Sequence, residues 1–149
     1  MSTRLQGLLA AVLAAAFTGA AIYISVAEQP ARLLLDNRNL LIEWQYSYPV
    51  GMRMQGTLAI VTGLLGIWAW WLSRDWRWLL GAALMLANWP FTLLALMPVN
   101  LALMALAPDA ADAGSRAMIE QWGMLHAVRG GLGLLATAAF LWALNRHQA

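Results

Sequence analysis

Residues 5–27 read LQGLLAAVLAAAFTGAAIYISVA, without one Asp, Glu, Lys or Arg. This is the roughly 20-residue apolar length that a helix needs to cross a bilayer. Gly7, Ala11, Ala15 and Gly19 recur every fourth position and predict a smooth ridge for close helix approach. Arg4 before the stretch and Ser25-Val26-Ala27 at its end also fit a cleaved signal sequence, but the apolar core is too long for one. The whole chain agrees with a lipid setting. It is 62% hydrophobic and 11% charged, where soluble domains carry roughly 25% charged residues. A chain of 149 residues cannot hide so much apolar surface in one aqueous-phase core.

Working outward, Pro30 predicts a bend or restart of the helix at Gln29. Arg32, Asp36, Asn39 and Glu43 then fall on one helical face, with Leu33, Leu40, Leu41 and Trp44 on the other. That segment reads as an interfacial amphipathic helix. A second span is expected over 50–72, with Gly56, Gly63 and Gly66 available for packing. It runs into Trp68, Trp70, Trp71, Arg74, Trp76, Arg77 and Trp78, a cluster typical of the membrane–water boundary. The short connector makes the second and third spans antiparallel neighbours. The third is expected over 79–97, kinked at Pro90, with a re-entrant or interfacial piece after Pro98. An acidic loop over 108–116 precedes a fourth span at 122–144. The expected fold is all-α: a single membrane domain, 1–149, built as a four-transmembrane-helix bundle with an interfacial helix between spans one and two.

Four spans place both termini and the Arg74–Arg77 connector on one side. Arg4, Arg74, Arg77 and Arg146 mark that side as cytoplasmic, in what is expected to be a bacterial inner membrane. Arg32, Arg38, Arg53 and Arg116 lie opposite, but interleaved with acidic residues. All nine basic residues are arginine, so Schiff-base and P-loop chemistry are excluded. Cysteine is absent, which removes thiolate catalysis, disulfides and iron–sulfur clusters. No basic stripe suggests nucleic acid. The expected partners are the lipid bilayer and a small apolar or aromatic molecule; a homo-oligomer is left open.

Chemistry is expected at the non-cytoplasmic end, where two polar groups of residues flank the two longer loops. Glu28, Arg32, Glu43 and Arg53 flank the first; Asn100, Glu120, His126 and Arg129 flank the second. Trp122, His126 and Arg129 share one helical face. An arginine two turns inside a span requires a partner or a wet cavity. His126 is the one histidine within the expected spans, since His147 is in the tail, so bis-histidine haem is excluded and a metal would need Glu28 or Glu43 as further ligands. No cofactor is expected. Met52 and Met54 are expected as packing, and Asn88 as a partner for backbone freed by Pro90.

Gly19-Ala20-Ala21 through Glu28-Gln29-Pro30-Ala31-Arg32, then Met97-Pro98-Val99-Asn100, then Trp122-x3-His126-x2-Arg129 together resemble the anthrone oxygenase-like family of small membrane proteins. The resemblance covers nearly the whole chain in order. It implies oxygenation of an activated aromatic carbon without an organic cofactor, as in conversion of anthrones to anthraquinones. On that reading His126 is the base, Arg129 and Asn100 stabilise the enolate oxygen, Trp122 stacks on substrate, and Glu28 orients His126 or Arg129. The competing reading is a non-catalytic membrane subunit or small-molecule-binding protein whose polar cluster is structural. A proton-coupled carrier is disfavoured, because no carboxylate lies at mid-membrane. An enzyme needs a cavity reaching His126; a structural cluster would fill that space.

Overall fold

The computed structural model describes residues 3–146, so His147 lies outside the described residues. It contains four helical spans long and apolar enough to cross a membrane, and among the described residues there is no strand. The first span is α1 (Thr3–Tyr23), a π-helical turn (Ile24–Glu28) and α2 (Gln29–Arg32). The second is α3 (Asn37–Ser73), the third α4 (Trp76–Leu86), α5 (Asn88–Phe91), a second π turn (Thr92–Leu96) and α6 (Met97–Ala105), and the fourth α7 (Ala113–Arg146). The first and third spans each pack against the second and fourth, giving an up-down-up-down ring of four.

The inward stripe of each helix follows a 3–4 alternation, the period of left-handed bundle packing. In α7 it runs Ser115, Ile119, Trp122, His126, Arg129, Gly133, Ala136, Phe140 and Ala143, all buried. In α1 it runs Gly7, Ala10, Ala14, Phe17 and Ala21. Here the ridge read from the sequence is corrected: Gly7 and Ala11 are buried, but Ala15 and Gly19 are exposed. A strict four-residue step drifts about 40° per step on a helix of 3.6 residues per turn, so it leaves the interface within two steps.

Both prolines that follow the π turns act alike. Pro30 and Pro98 lack the N–H that an α-helix needs, so the chain widens just before them. Gln29 N–H bonds to Ile24 O and Met97 N–H to Thr92 O, and each helix then restarts with its proline in the first turn. The piece after Pro98 is therefore ordinary helix to Ala105, not a re-entrant segment. The amphipathic segment is helical, as its pattern requires, but it runs unbroken through Pro49 into the second span. Asp36 caps this 37-residue helix, accepting from the Asn39 backbone N–H at 3.1 Å. That bond, and a second from the Asn39 amide, hold the Asp36 carboxyl below its usual range. Arg32 thus belongs to the preceding helix, not to one face with Asn39 and Glu43.

The two ends differ. At one end Arg74, in the left-handed conformation, and Asp75 make the whole connector between α3 and α4. Arg74 lies over the Trp70 and Trp71 rings, and Arg77 over Trp76 and Trp142. At the other end the two longer loops are tied together: Arg116 bonds to Leu33 O, Leu35 O and Asn37 Oδ1, and Arg38 pairs with Asp109 at 2.8 Å. Two apolar cores result. One, around Phe17, Trp78, Met85 and Phe140, fills the connector end; the other, around Leu40, Trp44, Leu103 and Ile119, fills the loop end.

Phe140 wedges between Gly66 and Gly81, where added Cβ atoms would lie 2.8 and 2.5 Å from its ring. Gly81→Ala is therefore expected to cost about 1–3 kcal/mol by overpacking, despite alanine's better helix propensity. Gly131, with nothing within 4 Å of the same atom, is the control: alanine there should be neutral or stabilising. Thermal unfolding of both variants in detergent checks the pair, and equal midpoints would refute the wedge.

Candidate functional site

Between the two apolar cores lies a layer of buried polar side chains: Thr18, Gln55, Asn88, Thr92, Asn100, His126 and Arg129. Asn88 serves the backbone near the Pro90 kink, donating to Met85 O at 3.1 Å and Leu84 O at 3.4 Å. A cavity of about 740 Å³ opens into this layer, walled by Trp122, His126 and Arg129 from α7, and Tyr48, Met52 and Gln55 from α3. Glu28, Arg32, Glu43 and Ser47 line its loop-side end.

His126 is 2% exposed, and neither ring nitrogen has a hydrogen-bond partner among the described residues. Its orientation comes from stacking on Trp122, with centroids 4.9 Å apart and planes at 18°. Trp122 meets Trp44 edge-on at 5.8 Å, and Trp44 stacks on Tyr48 at 4.7 Å. An aromatic column thus joins α3 to α7 and fixes the imidazole at its end. Trp122 holds His126, a positioning role that the expected contact with substrate left out.

Arg129 is 6% exposed and, among the described residues, forms no ion pair; its one cation–π contact is Phe17, 5.6 Å away. A guanidinium inside a bundle without a carboxylate is a standing demand for an anion or for water. Arg32 is the opposite case. It is 3% exposed, but paired with Glu28 and, at 2.9 Å, with Glu43, and 3.2 Å from Ser47 Oγ. Its guanidinium also lies over Trp122 at 5.6 Å. The two buried arginines therefore divide into one paired with carboxylates and one without.

Six expected residues come together on the cavity: Glu28, Arg32, Glu43, Trp122, His126 and Arg129. Glu28 turns to Arg32 rather than to His126 or Arg129. Asn100 is buried beside the Tyr48 hydroxyl, outside the cavity lining. Arg53 is exposed and donates from Nε to Pro49 O at 3.3 Å. Among the described residues no three His, Asp or Glu side chains gather as a metal site would need. The sequence reading missed Tyr48 and Gln55. Their signal was the spacing Trp44, Tyr48, Gly51, Gln55, Ala59, Thr62 and Gly66, a 3–4 stripe that continues across Pro49.

No curated protein and no solved structure matches the chain. A family model described as anthrone oxygenase matches residues 44–139, a stretch that holds Tyr48, Gln55, Trp122, His126 and Arg129. With well over half its length matched, the chain belongs to the anthrone oxygenase family.

Proposed function

We propose that this integral membrane protein oxygenates an anthrone-like aromatic ketone in the cavity, with dioxygen as co-substrate and no organic cofactor or metal. The observation that carries the reading is an imidazole without a hydrogen-bond partner and an arginine without an ion pair, among the described residues, on the wall of one cavity. A volume of about 740 Å³ suits a small polycyclic ligand. A purely structural cluster would have filled that space with side chains.

His126 takes one proton from the acidic ring CH2, leaving a carbanion delocalised onto the ketone oxygen as an enolate. Arg129 donates to that oxygen, where charge develops, so the group that lacks a carboxylate gains its anion during the reaction. The carbanion gives its electrons to dioxygen and forms a C–O bond, and the resulting peroxide anion takes back the proton held by His126 to become a hydroperoxide. Loss of water from that carbon leaves the second quinone carbonyl. In sum, one anthrone and one dioxygen give one anthraquinone and one water. In this reading the protein sits in a bacterial inner membrane with both termini cytoplasmic, and the cavity lies at the other face.

The test is oxygen uptake by the protein purified in detergent, with a panel of anthrones and quinols. One dioxygen consumed per anthraquinone formed is expected, unchanged after dialysis against EDTA. No uptake with any substrate overturns the oxygenase reading; loss of uptake on dialysis overturns its metal independence.

A further inference from the structure

The cavity opens on the side of the bundle, not at its end. Its outer rim is Tyr23, Tyr46, Val50 and Met54, and Tyr46, Tyr23 and Val50 are 78%, 61% and 61% exposed. These residues flank the gap between the first span and the start of α3.

The core beneath the two loops, by contrast, is packed, and what the cavity meets on that side is the part-exposed Glu28 and Glu43 carboxylates. Leu40, Leu41, Trp44, Leu103 and Ile119 fill that core, all fully buried. Arg116 and the Arg38–Asp109 pair tie the two loops over that core. Gln45 adds a cross-brace, donating from Nε2 to Leu103 O at 2.8 Å and Leu106 O at 2.9 Å.

The depth of the rim follows from the opposite interface. Trp68, Trp71 and Trp76 are exposed beside Arg74 and Arg77, and fix one edge of the hydrocarbon layer. A layer of about 30 Å takes roughly 20 residues of helix. Counting back along α3 from Trp71 reaches Gly51, between Val50 and Met54 of the rim. Tyr46 lies one turn further out, at headgroup level, where tyrosine is favoured. Arg53, exposed at the same height, has the length to reach the headgroups. The far helix ends extend beyond the lipid, since α3 alone has 37 residues, about 55 Å at 1.5 Å each.

We propose that substrate enters this cavity sideways from the outer hydrocarbon layer, between the first span and α3. The ligand is thereby a membrane-partitioned polycyclic aromatic that bears one carbonyl oxygen able to carry negative charge beside Arg129. The proposal rests on reading the cavity as the substrate site, and it adds the route and the phase from which substrate comes. Val50 and Met54 admit an apolar ring edge, and the polar groups it must meet lie deeper, at His126 and Arg129.

The chain has no cysteine, so Val50→Cys creates a single labelling site at the rim. The variant is placed in phosphatidylcholine nanodiscs and reacted with a bulky maleimide. Binding of 1,8-dihydroxyanthraquinone is then followed by stopped-flow fluorescence. The block is expected to slow association and dissociation together by about tenfold or more, with little change in Kd. The same label at Leu34→Cys, an exposed position at the loop end, is expected to change neither rate. Unslowed binding after the rim block, or slowing by the Leu34 label instead, overturns lateral entry. If the rim block slows probe binding but no anthrone is oxidised, the catalytic reading fails and the route stands. If oxidation runs at full rate through the block, the route fails and the chemistry stands.

Discussion

His126→Ala is expected to lower the rate of anthrone oxidation by about 10²–10⁴-fold, the usual contribution of a positioned general base. Nothing else on the wall near Arg129 is suited to take the proton. Glu28 and Glu43 both serve Arg32, and Gln55, Tyr48 and Ser47 are poor bases at neutral pH. Among the described residues the imidazole has no hydrogen bond to break before it accepts a proton, and Trp122 fixes the ring plane. Because the base acts on the reacting carbon, the loss should fall on kcat. Binding of 1,8-dihydroxyanthraquinone should change by less than about tenfold, since most of the cavity wall is unaltered. Added imidazole should restore part of the rate by entering the space left behind. Wild-type kcat in the variant would falsify the assignment. A variant that has lost probe binding along with kcat would instead make His126 a structural element of the wall.

Much of this site was legible because α7 has an uninterrupted pattern. Trp122, His126 and Arg129 are three consecutive steps of a stripe that runs from Ser115 to Ala143, so their inward orientation follows from spacing alone. Their shared cavity did not follow, because it depends on what α3 presents opposite. There Pro49 falls between the expected interfacial helix and the span expected over 50–72. The backbone absorbs that proline within one helix, and the stripe through Tyr48, Gly51 and Gln55 becomes visible only when read across it. The second π turn also shows in the spacing of its buried residues. Met85, Asn88, Thr92, Leu96 and Asn100 are buried at steps of three, four, four and four, one residue longer than two heptad steps allow. An inserted residue of that kind, placed just before a proline, is what a π turn accommodates. The fate of Glu28 was legible only in part. Its four-residue spacing to Arg32 offers that pair, but Pro30 between them leaves open whether the turn stays helical enough to form it.

The Arg32 cluster should carry the largest stability effect in the chain. Glu28→Gln with Glu43→Gln keeps the size of both side chains and removes both negative charges. Arg32 then remains 3% exposed with only neutral acceptors and the Trp122 ring. Stranding a buried cation costs about 3–5 kcal/mol. Here the lower end is expected, because the Glu28 and Glu43 side chains are 29% and 35% exposed and water screens part of the pair. Either single change should cost much less, since the remaining carboxylate still neutralises Arg32. Adding Arg32→Met to the double variant removes the stranded charge and should recover most of the loss, as apolar replacements of buried ion pairs do. Unfolding in mixed detergent–SDS titrations of the wild type, the two single variants, the double and the triple measures the cycle. Additive effects of the two glutamates, or no recovery with methionine, would show that the carboxylates act through packing alone. The distinction matters for the cavity. Arg32 links the π turn of the first span to α3 directly above the side opening, so its neutralised state sets the loop-side edge of the gap. A stranded Arg32 would turn towards the nearest anion or water, away from Trp122, and the ring that orients His126 would lose one of its supports. The double variant is therefore expected to lose oxidation rate more steeply than its remaining folded fraction accounts for.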